Sequence, residues 1–328
     1  MSITARIDAV TRIPPEWYSA ILPAPPSIKV EVSSRCPYRC TFCALRTREN
    51  SADSAKDMPI DLFRKVAEGA SKAGVEECGL FFLGESFSAP DLLVECCKIA
   101  KQHFGYVFLT TNGALARPDI VRQLMAAGLD SLKFSINAAD PQQFRDIMGV
   151  TSKYMDKALD NLRDAWHVRE AGYYHTRLYA SSIAFDGDQG ERMRELIETR
   201  VKPYTDETYR LPLYSMSLHS ERIKRDTGFV PTVGNSGRMD ESLGHANREG
   251  QICWSAFREG HVRVDGHLSA CCFGADDRFD IGDLTTQSFM DAWNSEAAQK
   301  LRQAHLDSIT LGPKALEGTA CEVCVAYG

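Results

Sequence analysis

Short β-branched runs alternate with amphipathic segments through the first two thirds of the chain. The runs that predict strands are SIKVEV (27–32), CGLFFL (78–83), GYVFLTT (105–111), SLKFSI (131–136), RLYASSIAF (177–185) and YRLPLYSMSL (209–218). The segments that predict helices are 59–74, 90–102, 116–127, 154–171 and 188–200. Regular alternation of this kind is typical of a parallel sheet with helices packed outside it. Six such units predict an α/β fold, an open or partial (β/α)6 TIM-like barrel.

The composition indicates a globular protein that acts on a polar small molecule or a peptide. Its 328 residues are 44% hydrophobic and 25% charged, which suffices for a full core. The formal net charge of −6 offers no positive field to a phosphate backbone, so nucleic acid is not expected as a partner. We find no apolar run of membrane-spanning length and no signal-peptide pattern at the N-terminus, and therefore expect a cytoplasmic protein without a membrane partner.

The eleven cysteines occur in groups. The groups are Cys36, Cys40 and Cys43; Cys253, Cys271 and Cys272; and Cys321 and Cys324, whereas Cys78, Cys96 and Cys97 stand apart and are expected to be structural. In a reducing compartment, grouped thiols favour metal ligation or thiol chemistry over disulfides. The eight histidines show no paired metal spacing, so we expect them at the surface or in the core.

The first group lies in CPYRCTFC, just after the first predicted strand, with the spacing C-x3-C-x2-C. Functional residues of barrels lie in loops of this kind. Thiolates this close together are ligands for zinc or for an iron–sulfur cluster. The alternatives are a structural zinc with a remote fourth cysteine, and three unrelated buried thiols. If the cluster is [4Fe–4S], three cysteines leave one iron open for a substrate or cofactor.

The C-terminal thiols form a second predicted site. Cys253, Cys271, Cys321 and Cys324 suffice for a closed [4Fe–4S] cluster, and a zinc ion would suit the same four cysteines. The segment 223–250 is rich in Gly, Asn and charge and is interpreted as a linker or a substrate-covering loop. The predicted organisation is an N-terminal arm (1–25), a barrel (26–222), the linker (223–252) and a small C-terminal iron–sulfur domain (253–328).

On these motifs the chain resembles the radical S-adenosylmethionine (SAM) superfamily, which carries C-x3-C-x2-C after the first strand of a partial barrel. The resemblance implies that SAM chelates the open iron and that one electron, from a partner such as flavodoxin or ferredoxin, releases a 5′-deoxyadenosyl radical. Phe42 would then lie against the adenine, or else pack in the core. Gly84 and Glu85 of LGES would bind the SAM amino group, although a surface glutamate is the alternative. Ser135 and Asn137 of FSIN are candidates for the SAM ribose or carboxylate.

The C-terminal segment resembles the SPASM/twitch extensions of that superfamily, through the spacing of its cysteines, IGDL (281–284), a helix in SFMDAWNSEAAQKLRQAH (288–305) and the closing CEVC. This implies one auxiliary [4Fe–4S] cluster in addition to the SAM-binding one. Members of this shorter form include the aminoglycoside epimerase of neomycin biosynthesis and the aminocyclitol dehydrogenase of butirosin biosynthesis. Peptide-modifying members usually carry an upstream recognition domain, for which the residues before Cys36 are too few. A carbohydrate, aminoglycoside or aminocyclitol substrate is therefore expected.

Cys272 adjoins a predicted cluster ligand and has no place in a site of four cysteines. Its thiol is predicted to return a hydrogen atom to a substrate radical, which gives epimerisation; a small buried thiol is the alternative. Without such a donor, loss of a proton and of one electron to the auxiliary cluster gives a ketone, the product of a dehydrogenase. A ribosomal-peptide maturase and a non-catalytic module with zinc at both sites remain the other hypotheses.

Overall fold

The computed structural model describes residues 2–40, 43, 45, 56–185, 187–211, 252–272, 274 and 277–322. Within these residues one sheet of nine strands forms the centre of the molecule. The strands are β1 (Ser27–Val30), β2 (Glu77–Gly79), β3 (Tyr106–Thr111), β4 (Ser131–Ser135), β5 (Arg177–Ile183), β6 (Glu207–Leu211), β7 (Glu259–Val262), β8 (His267–Ser269) and β9 (Asp280–Asp283). Their order is β6-β5-β4-β3-β2-β1-β7-β8-β9.

One helix precedes the first strand, and the helices that follow it up to β6 lie outside the sheet. They are α1 (Ile3–Thr11), α2 (Ile60–Ala73), α3 (Pro90–His103), α4 (Pro118–Ala126), α5 (Pro141–Met148), α6 (Lys153–Gly172) and α7 (Gly187–Leu196), which runs on into a π-helical turn (Ile197–Val201). The C-terminal helices are α8 (Trp254–Arg258), α9 (Phe289–Trp293) and α10 (Glu296–Leu311). No helix among the described residues is both long and apolar enough to cross a membrane.

Strands β1 to β6 are parallel neighbours, as the strand and helix alternation predicts. The α/β fold class is thereby confirmed. The second strand is shorter than the predicted 78–83, because the chain turns after Gly79 to bring the following loop under the first thiol group. The predicted strand 209–218 corresponds to β6, and its residues beyond Leu211 lie outside the described part of the chain.

The sheet is curved, and helix α1 shows this directly. The amide of Ile3 donates to Glu207 at the start of β6 (2.9 Å), while Arg6 pairs with Glu77 at the start of β2. In a flat sheet these two strands, four positions apart, would be separated by about 19 Å, whereas three helical residues span about 4.5 Å. The sheet therefore folds into a partial barrel, and α1 covers the edge at which its parallel strands begin.

The C-terminal strands continue the same sheet. β7 pairs in parallel with β1, and β8 and β9 follow in antiparallel order. The helix predicted across 288–305 is instead two helices. The first of them, α9, ends at Trp293. Ser295 caps the second, α10, since its hydroxyl accepts a hydrogen bond from the amide of Ala298. The amide side chain of Asn294 is held by the backbone of Leu22, which fixes the break between the helices.

Candidate functional site

The first thiol loop follows β1 and reaches Cys36, Cys40 and Cys43, all partly exposed. Cys43 donates its amide to the carbonyl of Cys40 (3.2 Å), which closes a turn between the two. Burial, the Glu85 carboxylate and Cys43 raise the pKa of Cys36 to about 12, although hydrogen bonds to its sulfur oppose the shift. The Asn112 amide is one of these donors, at 3.6 Å. Cys36 and Cys43 are therefore neighbours, at the carboxyl ends of β1 and β3.

Two glycines let this loop pack closely against the barrel. A Cβ on Gly84 would lie 1.9 Å from the carbonyl oxygen of Ser33, and one on Gly149 would lie 2.6 Å from that of Arg39. Gly149 also has φ +65°, a conformation that side chains disfavour. The amide of Arg39 donates to Met148 in the same contact (2.9 Å). The cysteine loop is thus held between the β2 loop and the end of α5.

Glu85 lies beneath the first thiol group rather than at the surface. It is 3% exposed, so the interpretation as a surface glutamate is wrong. Its carboxylate accepts hydrogen bonds from the Thr111 hydroxyl (2.9 Å) and from the amides of Asn112 (2.8 Å) and Phe87 (3.2 Å). Burial raises the pKa of Glu85 to about 7, against the effect of these donors. Glu85 is thereby fixed between the β2 loop and the end of β3.

A cavity opens beside this loop at the end of β4. Its lining includes Ser135, Asn137, Asn112 and the ring of Tyr38. Tyr38, inside the cysteine loop, is 5% exposed and packs edge-on against Phe144 with a centroid distance of 5.4 Å. The structure therefore brings Ser135 and Asn137 together with the thiol loop. Phe42, predicted to face an adenine, lies outside the described residues.

The C-terminal thiols converge as well. Cys253 immediately precedes α8, Cys271 follows β8, and Cys321 lies in the closing turn. A hydrogen bond with Cys272, burial, and the nearby thiols of Cys321 and Cys253 raise the pKa of Cys271 well above its ordinary value. Cys324 lies outside the described residues, as does most of the predicted linker 223–252.

Both thiol groups offer the donors that an iron–sulfur cluster takes. Cysteine thiolates are the usual ligands of such clusters. Thiolates that repel one another, as at Cys271, are stabilised when a bound metal centre supplies positive charge. The thiol donor sets therefore fit iron–sulfur clusters at both positions.

Cys272 lies within electrostatic range of a charged group on β1 and β7. Ser255 accepts the amide of Cys272 (2.9 Å) and donates to Ala270 (3.1 Å), which ties α8 to this turn. A hydrogen bond with Cys271 lowers the pKa of Cys272, and burial opposes this effect. His261 and Lys29 lower the pKa of Cys272 further, whereas Glu259 raises it. Cys272 is thus close to residues of β1 and β7.

That charged group is an ion-paired network which the sequence analysis missed. Lys29 of β1 bonds to Glu259 of β7 at 2.6 Å, and His261 Nε2 donates to the same carboxylate at 2.9 Å. His261 is fully buried, as expected for a core histidine. Burial would raise the pKa of Glu259, but Lys29 and His261 together lower it to about 2. The signal was present in SIKVEV, where charged residues alternate with apolar ones in a buried strand.

Comparisons with known proteins agree with this geometry. The model of the Radical SAM superfamily matches residues 30–199, and the SPASM model, an iron–sulfur cluster-binding domain, matches residues 253–324. SAM and iron–sulfur clusters, predicted as cofactors, are confirmed by these matches. The roles of individual residues stay predictions.

The curated relatives have a different name from the enzymes expected. A probable GTP 3′,8-cyclase of Thermoplasma volcanium is 31% identical over 140 residues, 42% of this chain and 41% of the relative. A probable GTP 3′,8-cyclase of Sulfolobus acidocaldarius is 24% identical over 301 residues, 85% of this chain and 90% of the relative. The expected similarity to aminoglycoside-modifying enzymes is not found among these two.

Solved structures share the fold. Streptococcus suis SuiB bound to precursor peptide SuiA superposes with a TM-score of 0.61 at 15% identity, covering 85% of this chain and 66% of SuiB. Native anSMEcpe with bound AdoMet gives a TM-score of 0.54 at 12% identity, covering 85% of this chain and 84% of the other. At these identities the likeness extends to the fold alone.

Proposed function

Because the chain belongs to the radical SAM superfamily, we propose that it removes a hydrogen atom from a carbon of a carbohydrate-like substrate and inverts that carbon. Cys272 returns a hydrogen atom to the opposite face. The substrate class includes sugars, aminoglycosides and aminocyclitols. Flavodoxin, ferredoxin or another low-potential reductant supplies the electrons.

Seven thiols hold the clusters in this proposal. Cys36, Cys40 and Cys43 hold the SAM-binding cluster, and Cys253, Cys271, Cys321 and Cys324 hold one auxiliary cluster. When bound, the first cluster supplies the electron that cleaves SAM to methionine and a 5′-deoxyadenosyl radical.

Residues beside the first thiol loop orient SAM. Glu85, which lies near Cys36, and the backbone carbonyl of Gly84 accept hydrogen bonds from the SAM amino group. Ser135 and Asn137, which line the adjoining cavity, bond to the ribose or carboxylate. Glu85 is pre-positioned for this because Thr111 and Asn112 hold its carboxylate in one orientation before SAM binds.

The position of Cys272 supports epimerisation. Its thiol is next to Cys271 and within electrostatic reach of Lys29, whose strand lines the barrel interior. In this proposal the substrate lies in that interior, between the cavity at the end of β4 and the C-terminal turn. The Cys272 thiol, on the C-terminal side, would then face the side of the substrate opposite SAM.

The hydrogen atoms and electrons balance for a redox-neutral change of substrate. With SAM bound, its cleavage would supply the radical that removes the hydrogen atom from the substrate carbon, with 5′-deoxyadenosine as the by-product. The carbon radical takes the hydrogen atom of the Cys272 thiol, and the resulting thiyl radical is restored by one electron and one proton from reductant and solvent. Each turnover consumes one SAM and two electrons.

Turnover in D₂O tests this assignment. The anaerobically reconstituted holoenzyme is incubated with SAM, reductant and a panel of sugars and aminocyclitols. We expect an inverted carbon that carries one solvent deuterium, because the thiol exchanges with solvent. Cys272→Ser should form 5′-deoxyadenosine without inversion, because a hydroxyl O–H bond is too strong to donate its hydrogen atom.

Controls separate the donor from general effects of thiol loss. Cys97→Ala, in the core side of α3, should keep the inversion. A ketone without solvent deuterium would reject epimerisation in favour of dehydrogenation. Inversion that persists in Cys272→Ser would reject the donor role.

A second candidate follows from the names of the relatives. Similarity over 85% of the chain to a probable GTP 3′,8-cyclase makes GTP a substrate to include in the panel. Consumption of GTP with formation of a cyclised product would replace the epimerase assignment. The peptide-maturase hypothesis is tested by the same assay with peptides, since SuiB is bound to a precursor peptide in its structure.

A further inference from the structure

Lys133 is an ammonium group inside the barrel that the proposed reaction does not use. It lies in the middle of β4, between Leu132 and Phe134, which are fully buried against the outer helices. Because side chains alternate along a strand, Lys133 faces the opposite side, the barrel interior, and there it is partly accessible.

The ammonium is directed toward the mouth of the barrel. Lys133 is in register with Tyr179 of β5, which is in register with Glu207 of β6. Yet Nζ lies 5.8 Å from the ring centroid of Tyr209, one layer nearer the carboxyl ends of the strands. Ser135, which lines the cavity at the end of β4, belongs to that same layer, two residues or about 6.6 Å along β4.

The interior carboxylates near this layer already have partners. Glu259 is paired with Lys29 and His261. Glu77 is paired with Arg6, and Glu207 accepts the amide of Ile3 and the hydroxyl of Thr4 (2.8 Å) from α1.

Lys133 differs from these groups. Among the described residues, Lys133 Nζ lies over the ring of Tyr209, and no carboxylate lies within ion-pairing distance of Nζ. Burial and the positive charge of Lys29 lower the pKa of Lys133 to about 8. A partly buried cation without a counter-ion is costly, and an anion from outside the chain would remove that cost.

We propose that Lys133 binds an anionic group of the substrate, a phosphate or a carboxylate, inside the barrel below the SAM cavity. This inference rests on the proposed function and narrows its substrate class to an anionic sugar, such as a sugar phosphate or a uronic acid. A protonated aminocyclitol would meet the like charge of Lys133, which has no carboxylate partner among the described residues, and is disfavoured. Lys133 is a specificity residue in this assignment and takes no part in hydrogen transfer.

Calorimetric titration of the holoenzyme tests the proposal without turnover. The reconstituted enzyme with SAM and no reductant is titrated with inorganic phosphate, glucose 6-phosphate, glucuronate, glucose and glucosamine. We expect at least one anionic probe to bind at least tenfold more tightly than glucose and glucosamine. Lys133→Met should lose that preference, and Lys133→Arg should keep most of it. The matched control Lys98→Met, an exposed lysine of α3, should bind as the wild type does.

Proton uptake on anion binding distinguishes a direct contact with Lys133 from a purely structural role of this residue. The groups that face Nζ are Lys29, Tyr179 and Tyr209, and burial raises the pKa of both tyrosines, so they stay neutral at pH 8. Binding of an anion should therefore protonate Lys133, with uptake of about half a proton at pH 8 in the wild type and none in Lys133→Met.

Three results would overturn the proposal: failure of every anionic probe to bind, equal or tighter binding of glucose or glucosamine, and unchanged anion binding in Lys133→Met. Phosphate and carboxylate probes distinguish the two sources of the anion. The titration contains no reductant, so it measures binding without turnover. A ketone or a cyclised nucleotide in the separate turnover assay would reject the proposed epimerisation but would leave the anion-binding result unchanged.

Discussion

Removal of the Glu259 carboxylate probes the network that joins the barrel to the C-terminal strands. Glu259 is 3% exposed at the start of β7 and is bonded to Lys29 of β1 at 2.6 Å. In Glu259→Gln the shape is kept, but the ammonium of Lys29, whose side chain is 18% exposed, loses its counter-charge in the barrel interior.

Two estimates of the cost agree. Removing one partner of a buried ion pair costs about 3 to 5 kcal/mol. The pKa of Glu259 is lowered from 4.5 to about 2, and at about 1.36 kcal/mol per pH unit this corresponds to about 3 kcal/mol. A lowered carboxyl pKa stabilises the folded state above pH 4.5, and this contribution is lost as the pH falls through about 2. The full cost should therefore appear at pH 7.5.

Thermal unfolding of the reconstituted holoenzyme measures this cost. For a chain of this length, about 3 kcal/mol lowers Tm by about 4 °C. The double variant Lys29→Met, Glu259→Gln should recover at least half of the loss, because neither charge is then left unpaired. The matched control Glu296→Gln, in an exposed pair with Lys300, should leave Tm unchanged. A Tm for Glu259→Gln equal to the wild type, or strictly additive losses in the double variant, would refute the reasoning.

Three further predictions address other parts of the molecule. Arg302, 1% exposed, donates to the carbonyls of Ala256 and Trp293. Arg302→Met should leave these buried acceptors unpaired and lower the free energy of unfolding by about 3 kcal/mol, measured as a fall in Tm. An unchanged Tm would show that the two carbonyls find other donors. Gly84→Ala must displace the Ser33 carbonyl and should lower the iron content of the reconstituted protein by up to half. Gly105→Ala, whose Cβ would meet nothing closer than 3.9 Å, should reconstitute fully, and equal iron in both variants would contradict the role of that contact. The pKa of Lys133 is lowered from 10.5 to about 8, so between these pH values the unfolded state binds more protons than the folded state. The free energy of unfolding should therefore rise as the pH increases from about 8 to 10.5. Lys133→Met should lack this part of the pH dependence of Tm.

Local sequence patterns were sufficient to predict the order of the strands and helices along the chain. Each predicted strand from 27 to 185 overlaps an observed strand, because β-branched runs bounded by turn residues have few alternatives in a folded chain. The length of the second strand was overestimated. Residues 81–83 (FFL) continue the apolar run, but the chain leaves the sheet after Gly79 to form the loop beneath the thiols. The 288–305 segment was taken as one helix because its break depends on Asn294 contacting Leu22, far away in the chain.

The thiol groups were likewise visible in the sequence, as spacing within a loop. The convergence of Cys253, Cys271 and Cys321 was an expectation from the grouping of the thiols, and the fold brings their three separate segments together. Burial of Glu85 could not be deduced from LGES, because its partners Thr111 and Asn112 belong to the next strand and loop.

The sequence by itself determined the fold class, the superfamily and the cofactors, because each depends on residues near one another in the chain: strand and helix periods, and C-x3-C-x2-C. Only the tertiary structure decided which of the charges on these strands are paired. Lys29 and Lys133 both occupy the middle of apolar strands, and in the sequence they are alike. Curvature of the sheet and the pairing of β1 with β7 give Lys29 a carboxylate, whereas Lys133 has none within reach among the described residues. Charge compensation depends on distances between segments far apart in the chain, and those distances exist only after folding.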